Sequence, residues 1–101
     1  MDASPDTPLQ TRIVRAHGRV QGVGYRYACV QHARALGVTG WVRNRMDDTV
    51  EALLQGTPRQ LDEMCRRMRD EVPSALVEEL QVTDVPAPFA RYARFDRRPT
   101  E

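Results

Sequence analysis

The stretch Gly18-Arg19-Val20-Gln21-Gly22-Val23-Gly24-Tyr25-Arg26 has residue types and spacing that could do chemistry. Gly22 and Gly24 let the backbone curl until several N–H groups point at one spot, and an anion belongs at such a spot. If a helix starts at Tyr25, its unpaired first-turn amides and the positive end of its dipole add to the attraction. Arg26 then supplies a planar donor fork matched to phosphate. Glycines at this spacing, taken alone, fit an ordinary structural turn, and Arg26 alone fits a solvated helix surface. A strand ending before the loop and a helix beginning after it favour the phosphate.

Composition removes several other chemistries. All fifteen basic residues are Arg, so a Walker-type phosphate loop, a Schiff-base enzyme and a Lys general base are excluded. Fifteen basic against fourteen acidic residues give a net charge of +1, far from the balance expected of a protein held by nucleic-acid phosphates. His17 and His32 have no acidic or Cys cluster around them, so no metal and no cofactor is expected. Cys29 and Cys65 fall on apolar helix faces and read as buried free thiols rather than a disulfide. No apolar run approaches membrane-spanning length, and Met1 to Gln10 lacks the basic and apolar regions of a signal peptide. A cytoplasmic monomer is expected, with no membrane and no nucleic-acid partner.

The elements that must position the loop follow from periodicity. At 101 residues the chain is expected to be one domain over 11–96, between a flexible tail at 1–10 and a loose end at 97–101. Thr11 to Gly18 alternates and reads as a strand. Tyr25, Cys29, Ala33 and Leu36 share one helical side, and Gly37 suits the left-handed position after the last turn. Val38 to Arg45 and Thr49 to Gln55 alternate around Asp47 and Asp48 as a hairpin. Thr57-Pro58-Arg59-Gln60 is a capping-box helix start, and Leu61, Met64, Cys65, Met68 and Val72 form an apolar stripe that Pro73 ends. Leu76, Leu80 and Val82 alternate as a strand, and a shorter edge strand is expected over Phe89 to Phe95.

This order predicts an α+β, ferredoxin-like βαββαβ sandwich: a mostly antiparallel sheet with two helices on one face. Right-handed crossovers make the first two strands parallel with the third between them. The glycine loop, the start of the first helix and Asn44 at the end of the second strand then share one edge. Asn44 is the chain's one Asn. Beside a hairpin it could instead be a turn residue bonding nearby backbone.

Gly18 to Arg26, together with Gly40-Trp41-Val42-Arg43-Asn44 and Thr49-Val50-Glu51, closely resembles the acylphosphatase family, in a register that holds from about residue 11 to about residue 95. The resemblance implies hydrolysis of the carboxyl-phosphate bond of acyl phosphates without a metal, by in-line attack of water. It implies that Arg26 binds the phosphate and Asn44 orients the water. Gln21, Gly22, Val23, Gly24, Tyr25 and Arg26 would hold the phosphate, the first five through their main chain. The partners would be a small-molecule acyl phosphate and inorganic phosphate. Two departures stand out: Asp48 replaces the glycine of the family's usual Asp-Gly turn, and Tyr25 replaces the more usual Phe, adding a hydroxyl that needs a partner. No dedicated pocket for the acyl group is legible. The alternative is a non-catalytic phosphate-binding or interaction domain. An RNA-recognition module of similar element order would need base-stacking aromatics that Thr49 to Gln55 lacks.

Overall fold

The computed structural model describes residues 8–101. Seven elements follow in order: β1 (Gln10–Arg19), α1 (Tyr25–Leu36), β2 (Thr39–Asn44), β3 (Val50–Gly56), α2 (Pro58–Asp70), β4 (Leu76–Val85) and β5 (Phe95–Arg98). Most of the tail expected at 1–10 lies outside the described residues, and Gln10 already belongs to β1.

The strands form one sheet in the order β4-β1-β3-β2-β5. Strand β3 is antiparallel to both β1 and β2, so β1 and β2 run parallel, and β4 pairs antiparallel with β1. Only β5 adds in parallel, alongside β2. This is the expected ferredoxin-like arrangement extended by one edge strand.

Local signals explain the two helices. Gly37 caps α1 at φ 77°, and the Val38 N–H reaches back to the Ala33 carbonyl at 2.9 Å. Helix α2 starts with a complete capping box. The Gln60 N–H donates to the Thr57 hydroxyl at 3.2 Å, and the Thr57 N–H donates to Gln60 Oε1 at 2.8 Å. The Gln60 amide also donates to the Leu36 carbonyl at 2.9 Å, tying the start of α2 to the end of α1. Both helices cover one sheet face. Val14, Ala16, Val42, Val50, Ala52 and Leu54 meet Tyr25, Cys29, Ala33, Leu61, Met64 and Met68 in one core from which water is excluded.

The C-terminal region departs from expectation. The edge strand is not Phe89 to Phe95 but Phe95–Arg98, overlapping at Phe95 alone. Pro86 and Pro88 bring no N–H to a ladder. The side chain of Gln55 takes up the backbone that follows: its amide donates to the Ala90 carbonyl, and its Oε1 accepts from the Tyr92 N–H at 3.0 Å. Regular pairing resumes where the Phe95 ring enters the core. Residues 97–101 are likewise not a loose end. Arg97 and Arg98 pair beside Val42 and Arg43, the Glu101 N–H donates to the Asn44 carbonyl at 3.1 Å, and the Glu101 carboxylate pairs with Arg43.

Candidate active site

Strand β1 delivers the chain to Val20, whose buried side chain anchors the loop floor. Gly22 and Gly24 then adopt φ 74° and 79°. A Cβ at either position would meet nothing within 4 Å. The requirement for glycine is therefore conformational, since other residues in this region cost about 1–2 kcal/mol each. Gly24 is the N-cap of α1, with no side-chain cap and no acidic residue in the first turn. The first helical bond runs from the Ala28 N–H to the Gly24 carbonyl at 3.0 Å, which leaves the preceding amides outside the helical ladder. Amides outside the helical ladder, at the positive end of a helix, suit an anion.

The loop is braced from both sides. Gln21 Nε2 donates to the carbonyls of Arg45 and Thr49, at 2.8 Å each, binding the loop to the β2–β3 turn. The Ser74 hydroxyl donates to the Val23 carbonyl at 2.7 Å. Neither Gln21 nor Val23 lines the cavity.

A pocket of about 150 Å³ opens at this edge, lined by Val20, Gly22, Gly24, Tyr25, Arg26, Tyr27, Asn44 and Arg97. That is roughly half the ~300 Å³ at which drug-sized ligand sites begin, a size suited to a small anion. The structure thus brings Gly22, Gly24, Tyr25, Arg26 and Asn44 together, as parallel β1 and β2 require. Arg26 is oriented by donation from its Nη1 to the Arg98 carbonyl at 3.2 Å. Asn44 sits at the end of β2, and its Oδ1 is buried with no hydrogen-bond partner among the described residues. A buried acceptor left unpaired costs about 1–3 kcal/mol, and the indole N–H of Trp41 in the same strand is another such group among the described residues.

Three lining residues were missed from the sequence: Val20 at the loop floor, Tyr27 and Arg97. Tyr27 is 64% exposed beside Arg26, and Arg97 comes from β5, where Phe95 and Arg97 alternate onto the α1 side of the sheet. That alternation was the available signal.

Behind the pocket the Tyr25 ring is buried, and its hydroxyl donates to the Met68 carbonyl at 2.8 Å, satisfying one of the carbonyls that the end of α2 leaves without a helical partner. Burial pushes this phenol above its ordinary range. Burial also pushes the Cys29 thiol up to about 12. On the opposite sheet face Arg15, Arg43 and Arg45 surround Glu51 at 3.2, 3.0 and 3.5 Å, and the Trp41 ring lies against the guanidinium groups of Arg43 and Arg98. The β2–β3 turn is fixed by Asp47, which accepts from the Thr49 hydroxyl at 2.6 Å and the Thr49 N–H at 3.1 Å. These bonds, the hydroxyl's first, hold the Asp47 carboxyl below its usual range. Asp48 takes φ 72°.

Residues 12–96 match the family model for acylphosphatase. The chain is 61% identical to acylphosphatase 1 of Ralstonia nicotianae over 97% of its own length and 96% of that protein's. It is 54% identical to an acylphosphatase of Polaromonas naphthalenivorans over 98% of both. Its fold superposes on the crystal structure of the Bacillus subtilis acylphosphatase with a TM-score of 0.81 and 34% identity, covering 90% of this chain and 99% of that one. The chain belongs to the acylphosphatase family.

Proposed function

We propose that the protein is an acylphosphatase that hydrolyses acyl phosphates to a carboxylate and inorganic phosphate, using backbone amides, Arg26 and a water held by Asn44. The observation that carries this reading is the convergence of Arg26, Asn44 and the uncapped start of α1 on one pocket.

The phosphoryl oxygens sit against the main chain at Gly22, Gly24 and Tyr25, which line the cavity, and against the Arg26 guanidinium. A water held by the side-chain amide of Asn44 turns a lone pair toward phosphorus, in line with the bond that breaks. The leaving group is a carboxylate whose conjugate acid has a pKa of roughly 4, so it departs near neutral pH without a general acid. What remains for the protein is to place the water and offset charge on the equatorial oxygens, which fixed dipoles and one guanidinium can do. A phosphate oxygen can take the water's second proton.

Among the described residues no three His, Cys, Asp or Glu side chains converge on a point. The free thiols Cys29 and Cys65 fit a reducing compartment such as the cytoplasm.

The test is hydrolysis of acetyl and benzoyl phosphate by the purified protein in excess EDTA, with inorganic phosphate as a competitive inhibitor. Turnover that survives the chelator is expected. Phosphate binding without turnover would leave a non-catalytic phosphate-binding domain instead.

A further inference from the structure

The phosphate pocket does not end at Arg26. A second cavity of about 220 Å³ is lined by Tyr27, Val30, Gln31, Arg34 and Arg97. It shares Tyr27 and Arg97 with the phosphate pocket, so the two are neighbours along one edge. Tyr27, Val30, Gln31 and Arg34 stand at i, i+3, i+4 and i+7 along α1, one stripe of the helix, and β5 supplies Arg97 opposite.

The charge along this groove is of one sign. Arg26, Arg34 and Arg97 line the two cavities, no carboxylate does, and α1 contains no Asp or Glu. Several arginines elsewhere on the surface are matched with acids, Arg12 with Asp62, Arg15 with Glu51, Arg66 with Glu63 and Arg94 with Asp96, while Arg19, Arg91 and Arg98, among the described residues, are not. Among the described residues, Arg26, Arg34 and Arg97 are paired with no carboxylate. Arg34 donates one N–H to the Phe95 carbonyl at 3.4 Å, which fixes its direction and leaves the rest of the fork open. The phosphoryl group accounts for Arg26. It does not account for Arg34, which lines the second cavity alone.

We propose that the groove between α1 and β5 is the acyl subsite, and that Arg97 and Arg34 select acyl phosphates whose acyl chain carries a second anionic group, such as a distal carboxylate. The proposal rests on the acyl phosphate reading of the phosphate pocket. With the phosphoryl group on the loop, the carbonyl leaves past the exposed ring of Tyr27. A chain of a few carbons crosses the Tyr27 and Val30 surface and presents its far carboxylate to Arg97 and Arg34. This contact lies away from the bond that breaks and is the same in ground and transition states. It therefore lowers KM and leaves kcat nearly unchanged. In a groove this open a charge-assisted contact adds about fivefold in affinity and weakens with salt.

Two non-hydrolysable analogues in which CH2 replaces the bridging oxygen test this by calorimetry. One carries an acetyl group and the other a succinyl group with its free carboxylate. The succinyl analogue should bind about fivefold more tightly at low salt. Arg97→Gln should bring the ratio of the two affinities close to one, and Arg34→Gln should lower it by a smaller factor. Equal affinity of the two analogues for the unaltered protein, or a ratio that Arg97→Gln leaves in place, overturns the subsite. Acetyl phosphate turnover is scored separately. Its absence would sink the proposed activity, while the binding ratio would still decide whether the groove reads an anionic acyl chain.

Discussion

The side-chain amide of Gln21 donates to the main-chain carbonyl of Thr49 at 2.8 Å, and the same nitrogen reaches the Arg45 carbonyl at 2.8 Å. One side chain thus ties the glycine loop to the turn that follows Asn44, and sets the two halves of the site at a fixed separation. Gln21→Glu removes both donors and turns a carboxylate toward two carbonyls. Stability should fall by about 1–3 kcal/mol, with lower turnover and weaker phosphate inhibition, whereas Gln21→Ala should cost less. Urea unfolding together with the phosphate inhibition constant checks this. An unaltered inhibition constant in Gln21→Glu would mean that the loop holds its shape without the tie.

Arg26 and Asn44 should separate in their kinetics. Arg26→Ala removes charge that the phosphate meets on binding and again in the transition state, so phosphate affinity and turnover should both drop, turnover by at least tenfold. Asn44→Ala removes a contact to the attacking water alone, so kcat should fall about a hundredfold with the phosphate inhibition constant changed by less than about threefold. Steady-state kinetics with phosphate as inhibitor separates the two. Full turnover in Asn44→Ala would place the water elsewhere.

How much was legible follows the range of the interactions. The bounds of α1 and α2 are written in local signals: Gly24 and Gly37 around one, Thr57, Pro58 and Gln60 at the head of the other. Arg26 and Asn44 could be brought together from sequence because the crossover rule makes β1 and β2 parallel, whatever the side chains do. β5 resisted because its pairing with β2 is parallel and distant, and because the preceding backbone bonds the side chain of Gln55, far back in β3. Arg97 was hidden by the same cause, since its position depends on the register of Val42 with Arg97. The work of Gln21 was hidden too: its acceptors are carbonyls 24 and 28 residues away, which no spacing rule connects.

Asp48 occupies the left-handed region at φ 72°, where a residue with a Cβ is strained. Asp48→Gly should relieve that strain and lose part of the gain to the greater freedom of glycine in the unfolded chain. A net gain of about 0.5 kcal/mol, or a rise in Tm of about 2–4 °C, is expected for a domain of this size. Calorimetry decides the sign, and activity should be untouched because Asp48 lies outside the pocket lining.

Alkaline pH should unfold the protein through the groups behind the site. Burial raises the Cys29 thiol to about 12 and raises the Tyr25 phenol as well. Their unfolded values are roughly 8.5 and 10. With folded values above unfolded ones, the stability each contributes is fully present below its unfolded value. It is lost as pH rises, because the unfolded chain gives up protons that the folded one keeps. Cys29 acts first, from about pH 9, and Tyr25 adds to it above about pH 10, each by up to ~1.4 kcal/mol per pH unit. The urea midpoint should therefore hold steady from pH 7 to about pH 8 and fall between about pH 9 and 11. In Cys29→Ala the fall between about pH 9 and 10 should be shallower but not absent, because burial also raises the Cys65 thiol, which still titrates there. The thiol leads the alkaline loss only if the variant flattens that first part of the curve, and a curve of unchanged shape assigns the loss to other groups.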